Sequence, residues 1–284
     1  MSLTAVVTGA GGFIGRRLAT GLARRGWDVI ALTSSSAVWF GDAGVRPVKC
    51  VWNERGVREA ASEIGNADLW VHAAACVQLA PAAVATPMYR ANALLAEIIA
   101  RAARRSGARL AYLSTVSVYG PGQRLSVDVE PAPATDYGLS KLLGERLCLA
   151  TLEERCWVLR LPGVWGKEKH PRLFINACLE AAADGRGLIM DGPGTGRRNY
   201  LWVGDVVALI EAGFQENWRG LHLAAGPAPL SIYEMVTAIG ARYGVSTTVG
   251  TPTAPEKDVL VDIREKAQTT PFDRALEEEA ACKI

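Results

Sequence analysis

The chain has 284 residues, of which 49% are hydrophobic and 21% charged. That balance excludes a disordered polymer and leaves enough apolar mass for a core without disulfide or metal staples. Lys+Arg number 31 against Asp+Glu 29, a net charge of +2, which gives no footing for nucleic acid or an anionic membrane.

The cysteines are Cys50, Cys76, Cys148, Cys156, Cys178 and Cys282, and none form a CxxC pair. Zinc spacing is therefore absent and no metal site is expected. Several sit in apolar runs and read as buried thiols in a reducing, cytoplasmic setting. The opening residues lack the basic segment and small-residue cleavage site of a secretory signal. No apolar stretch approaches the roughly 18 residues that mark a membrane span.

In chain order, residues 3–7 read as a first strand and 13–25 as a helix with apolar positions near 3.6 spacing. Residues 28–32, 45–51 and 68–75 read as further strands, the last apolar almost throughout. Residues 86–106 form a long helical pattern, with Gly107 placed to end it. A fifth strand at 108–114 and a long helix at 137–154 follow. Strands alternating with helices imply βαβ units and a parallel sheet. After about residue 160, Pro162, Pro171, Pro193, Pro227, Pro229, Pro252, Pro255 and Pro271 break the pattern. No linker separates that part, so it reads as a lobe built onto the sheet.

Thr8-Gly9-Ala10-Gly11-Gly12-Phe13-Ile14-Gly15 follows the first strand and opens the first helix. Gly9, Gly12 and Gly15 are spaced GxxGxxG rather than GxGxxG, but the physics is shared. Glycine permits the tight turn and lets backbone approach a pyrophosphate. The helix N-terminus then offers free N–H groups and partial positive charge. The competing reading is an ordinary glycine-rich turn. NAD binders place an acid at the end of the second strand to hold the ribose hydroxyls. Here that stretch is Thr33-Ser34-Ser35-Ser36. Small hydroxyl residues admit a 2′-phosphate without repulsion, and Arg16 and Arg17 offer charge. This favours NADP over NAD, with Thr33 and Ser34 at the cofactor.

Tyr137-Gly138-Leu139-Ser140-Lys141 is YxxxK at the start of a helix. At i and i+4 the two side chains share a face. A free tyrosine titrates near 10, and a close ammonium lowers that value toward proton transfer near neutral pH. Upstream, Ser114 and Thr115 end the fifth strand, where parallel sheets place ligand contacts. Surface pairs and turn hydroxyls are the alternatives.

TGAGGFIG at 8–15, HAAA at 72–75, Asn92, STVSVYG at 114–120, YGLSK at 137–141, LRLPGVWG at 159–166 and RNYLWVGDVV at 198–207 stand in this order. Together they resemble the extended short-chain dehydrogenase/reductase family, the NAD(P)-dependent nucleotide-sugar epimerases, dehydratases and reductases. The resemblance implies an α/β fold: a Rossmann-type doubly wound parallel sheet over 1–160 with a small C-terminal α/β substrate-binding lobe over 161–284. It implies Tyr137 as general acid/base, Lys141 on the nicotinamide ribose, and Thr115 as the catalytic hydroxyl, with Ser114 as a second substrate contact. Gly9, Gly12, Phe13, Ile14 and Gly15 would receive the pyrophosphate. Ala73, Ala74 and Ala75 would line the cofactor, Asn92 would support the lysine, and Arg198 would hold the substrate diphosphate. A nucleotide sugar is the implied substrate. A homodimer through helices 86–106 and 137–154 is the implied assembly.

The chain departs from the family at several points. Cys50-Val51-Trp52-Asn53 lacks the usual adenine-contacting acid, for which Asn53 is a substitute. Gly163 replaces a frequent Asn, and Lys257 or Arg264 stands in for a late arginine. Thr115-Val116-Ser117 lacks the acidic pair of the dehydratases, which argues against a 4,6-dehydratase. Epimerase and 4-keto reductase both remain open. So do two rivals: reduction of a non-sugar carbonyl near Leu79, Pro81 and Met88, and a non-catalytic cofactor-binding scaffold.

Overall fold

The computed structural model describes residues 2–34, 40–41, 43–77, 85–121, 124–167, 173–250, 258–262 and 269–281. The chain divides into two compact units. The first comprises residues 1–121, 127–160 and 206–222; the second comprises 122–126, 161–205 and 223–284.

The first unit is built on one sheet. Its strands are β1 (Thr4–Thr8), β2 (Asp28–Thr33), β3 (Arg46–Lys49), β4 (Leu69–His72), β5 (Arg109–Thr115), β6 (Cys156–Leu161) and β7 (Gly220–Leu223). Their spatial order is 7-6-5-4-1-2-3, with β1 parallel to both β2 and β4. This is the doubly wound order, and its switch point lies at the carboxyl ends of β1 and β4. The apolar runs of β1, β4 and β6 are buried on both faces, as helix-covered parallel strands must be. Val6, Ile30, Trp70, Ile99, Tyr112 and Val158 belong to one core beneath the helices.

Two expected elements differ in their bounds. The strand read over 68–75 stops at His72, because the Ala74 N–H donates to the Thr8 hydroxyl at 3.3 Å instead of a neighbouring strand. The helix read over 86–106 is interrupted. Helices α3 (Thr86–Tyr89) and α4 (Leu95–Arg105) are joined by a π-turn at Arg90–Leu94. The turn holds because tertiary partners take up Asn92. Its amide donates to Cys76 O at 2.9 Å and Ser140 Oγ at 3.0 Å, and its Oδ1 accepts from Cys76 N at 2.8 Å. Its carbonyl accepts the Tyr112 hydroxyl at 2.9 Å. Helices α1 (Phe13–Arg24), α2 (Glu54–Ile64) and α5 (Asp136–Leu152) complete the site's frame. Thr135 caps α5 by accepting from Gly138 N at 3.1 Å, which fixes where Tyr137 and Lys141 emerge.

The second unit holds α6 (Phe174–Ala183), the start of α7 (Val203–Gln215), α8 (Ile232–Tyr243) and α9 (Phe272–Ala281). Its own core gathers Trp165, Ile175, Leu179, Met235, Ile239 and Leu276. Short strand pairs edge it, among them Arg197–Arg198 against Leu230–Ser231. Ser231 and Glu234 close a capping box at the start of α8. Among the described residues no helix is long and apolar enough to cross a membrane.

Glu145 of α5 and Arg160 of β6 form an ion pair with each side chain only 1% exposed. The contact is bidentate: Arg160 Nε to Glu145 Oε1 at 3.0 Å and Nη2 to Oε2 at 2.6 Å. Removing one partner strands the other charge in the core. Arg160→Met is expected to cost about 3 to 5 kcal/mol, read as a lower urea midpoint in equilibrium unfolding. The double variant Arg160→Met with Glu145→Leu is expected to recover most of that loss.

Candidate active site

The glycine loop lies at the switch point. Gly9 takes a left-handed φ of +66°, and a Cβ there would meet the Ala74 backbone at 2.6 Å. A Cβ on Gly15 would meet the Gly9 carbonyl at 2.2 Å, so helix and turn touch without side chains between them. Gly12 N donates to Gly9 O at 2.9 Å and closes the turn. No side chain caps α1, and its first turn carries no acid. Such an open N-terminus beside bare backbone fits the pyrophosphate of NAD(P). Phe13 and Ile14 are half-buried in that first turn, and Ala73 to Ala75 leave β4 beside it.

Thr33 is buried at the end of β2 and Ser34 is exposed beyond it. Arg16 is exposed on α1 with its guanidinium 5.6 Å from the Phe40 ring centroid. A cleft of about 290 Å³ opens beside Ala74, lined also by Trp52, Cys76, Arg90 and Leu95. Asn53, a substitute for the missing acid on sequence grounds, has its side-chain oxygen engaged as the α2 cap, accepting from Gly56 N at 2.8 Å.

Thr115 and Tyr137 come together. Burial pushes the Tyr137 phenol up to about 12, opposed by hydrogen bonding from Thr115. Burial outweighs any lowering of the phenol here, and the ammonium is turned onto another ring. Lys141 Nζ lies 4.1 Å from the Tyr112 ring centroid. Lys141 is 2% exposed, and burial draws it down to about 8, with Cys148 and Glu145 pulling the other way. His72 is buried beside it, brought down to about 3 by desolvation and then by Lys141. The imidazole is thus neutral, and its Nδ1 shares a 2.7 Å hydrogen bond with the Thr8 hydroxyl.

Ser114, read as a substrate contact, is buried and donates its hydroxyl to the Glu145 carboxylate. Asn92 engages Cys76, Ser140 and Tyr112. Arg198 belongs to the second unit, exposed on its short strand, while neighbouring Arg197 donates to Glu234 at 3.0 Å. The space beside Gly163 is taken by the Tyr200 ring, which an added Cβ would approach to 2.8 Å. Met88 is buried, so it lines no open surface; Leu79, Pro81, Lys257 and Arg264 lie outside the described residues. Sequence reasoning missed Tyr112, Glu145 and Arg160. Glu145 was findable, since it lies one helical turn beyond Lys141 on the same face.

A model of the NAD dependent epimerase/dehydratase family matches residues 5–222. The chain belongs to that family. Membership makes it an NAD(P)-dependent enzyme. It is 34% identical over 257 residues to the dTDP-4-dehydrorhamnose reductase of Mycobacterium tuberculosis strain H37Rv, covering 84% of this chain and 75% of that one. It is 29% identical to the protein of the same name from Mycolicibacterium smegmatis, covering 86% of this chain and 70% of that one. Among solved structures it resembles MoeE5 in complex with UDP-glucose and NAD. The identity is 25%, the TM-score 0.81, and the coverage 98% of this chain and 97% of that one.

The cradle's dependence on bare backbone gives a direct test. Gly15→Ala is expected to weaken NADPH binding by about 100-fold, roughly 2.7 kcal/mol, in a fluorescence titration. Far-UV circular dichroism is expected to stay as in the parent.

Proposed function

We propose that this family member is an NAD(P)H-dependent reductase of the keto group on a nucleotide-linked sugar, with NADPH preferred. One observation carries the reductase assignment over the epimerase: relatives that match over more than four fifths of this chain bear the name dTDP-4-dehydrorhamnose reductase. Carbonyl reduction needs a proton donor at the oxygen, and a Tyr137 phenol raised by burial suits that role.

The glycine cradle of Gly9, Gly12 and Gly15, with Phe13, Ile14 and Ala73 to Ala75, would hold the cofactor pyrophosphate. The cleft at Trp52 offers room for a base, and Thr33, Ser34, Arg16 and Arg17 would receive a 2′-phosphate without a repelling acid. Bound there, the reduced nicotinamide supplies a hydride to the carbonyl carbon. The chain's residues handle the proton. Tyr137 donates its phenolic hydrogen to the carbonyl oxygen, the C=O π bond breaks, and an alcohol forms. Thr115 stabilises the resulting phenolate by hydrogen bonding, and solvent returns the proton. Lys141 would hold the nicotinamide ribose, with Asn92 behind it. Arg198 of the second unit would hold the substrate diphosphate as a planar bidentate fork. A reducing, cytoplasmic site of action fits the free thiols of Cys50, Cys76, Cys148, Cys156 and Cys178.

A dTDP- or UDP-linked 4-keto sugar is expected to consume one NADPH per carbonyl reduced, and turnover is expected to stall with catalytic cofactor. NADH is expected to give the lower kcat/KM. Tyr137→Phe is expected to lower kcat by about 100- to 10,000-fold with KM little changed. Turnover sustained without net NADPH would make the enzyme an epimerase instead.

The same reading includes a homodimer. Leu94 and Leu143, on the packed pair of the π-turn and α5, are 53% and 42% exposed, and Leu139 adjoins them. Leu143→Lys is expected to yield a monomer of 30.3 kDa by light scattering, where the parent gives twice that mass.

A further inference from the structure

We propose that Tyr112 is the positioning residue for Lys141, its ring face holding the ammonium and its hydroxyl bracing the π-turn beside it. The inference rests on the reading of Lys141 as the ribose-holding group.

Three observations meet at this residue. Tyr112 is fully buried on β5, and Lys141 Nζ stands 4.1 Å from its ring centroid. An ammonium over an aromatic face is attracted by the ring quadrupole, most strongly where water is excluded. The Tyr112 hydroxyl donates to Asn92 O at 2.9 Å, a carbonyl within the π-turn. Finally, α5 approaches both groups closely at Gly144. A Cβ there would lie 2.3 Å from Asn92 O and 2.3 Å from the Tyr112 oxygen. One phenol therefore ties β5, the π-turn and α5 together at the turn of α5 that follows Lys141.

The groups facing the ammonium are few. On α5 they are Glu145 and Cys148. On β4 it is His72, whose ring stacks on Tyr112 at 5.6 Å between centroids. Glu145, although gripped by Arg160 of β6, still favours the charged lysine. His72 is neutral and brings no attraction. The ring of Tyr112 adds an electron-rich face 4.1 Å from Nζ that favours the charged lysine beside that acid. Without it, burial pulls the amine further toward its neutral form, and a neutral amine holds a ribose hydroxyl less well.

The experiment is an NMR titration of the Lys141 ε-methylene signal in the full chain, assigned by its loss in Lys141→Arg. The wild-type midpoint is expected near 8. Pentafluorophenylalanine at position 112 keeps the ring's shape and reverses its quadrupole. It is expected to lower the midpoint by about one pH unit, while Tyr112→Phe restores it. The KM for NADPH is expected to start rising at correspondingly lower pH in the fluorinated protein, since a lowered lysine loses its charge sooner as pH climbs. A fluorinated midpoint equal to that of Tyr112→Phe overturns the proposal. So does a loss of thermal stability with no movement of the titration, which marks a filler of space. The titration needs no substrate. A wild-type protein that titrates as stated yet reduces no keto sugar refutes the proposed function and leaves the lysine's positioning standing.

Discussion

A lysine amine sits where almost no water reaches it, and the rest of the first unit is arranged around that fact. Burying an ammonium is costly unless nearby groups replace its hydration. Here the replacements are an aromatic face from β5 and an acid one turn along α5. The acid cannot act freely, because Arg160 from β6 grips it with two hydrogen bonds and Ser114 donates a third. Two strands and one helix are thereby locked by a single polar layer. None of its members is replaceable alone without leaving a buried charge or dipole unanswered.

The same sheet edge that holds this layer also presents the glycine cradle. Strand β1 runs between β2 and β4, and the crossovers on its two sides depart in opposite directions along the sheet. The carboxyl ends of β1 and β4 therefore open a crevice that the topology itself produces. Thr8 ends β1 and its hydroxyl is shared between the Ala74 N–H and His72. That one hydroxyl links the mouth of the cradle to the buried layer. The glycine cradle and the buried Lys141 layer are consequently built from adjoining turns of one scaffold.

What the sequence made legible were features with local causes. The glycine loop is visible because GxxGxxG between a strand and a helix has a backbone reason. Tyr137 and Lys141 are visible because four-residue spacing is a helical property. Thr115 is visible because it ends a strand. The features that stayed hidden have non-local causes. The π-turn exists because Cys76, Ser140 and Tyr112, distant in sequence, all engage Asn92. Glu145 and Arg160 look like surface charges until β6 is laid against α5. Asn53 looked free for adenine, yet the first turn of α2 engages it. Beyond residue 160 the prolines masked α6, α8 and α9, whose apolar faces meet only in the second unit's own core.

The two ionisable groups of the YxxxK pair end up in separate surroundings. A direct pairing would have pulled phenol and amine toward each other, lowering one and raising the other. Instead burial acts on both in the directions it dictates, raising the acid's value to about 12 and dropping the amine's to about 8. On the proposed reading, a phenol raised this way keeps its proton near neutral pH, and its availability would not limit reduction. The amine is the group whose charge changes near working pH. On the proposed reading, loss of activity on the alkaline side falls to Lys141, which would hold the nicotinamide ribose. The ring beneath that amine sets where the loss begins.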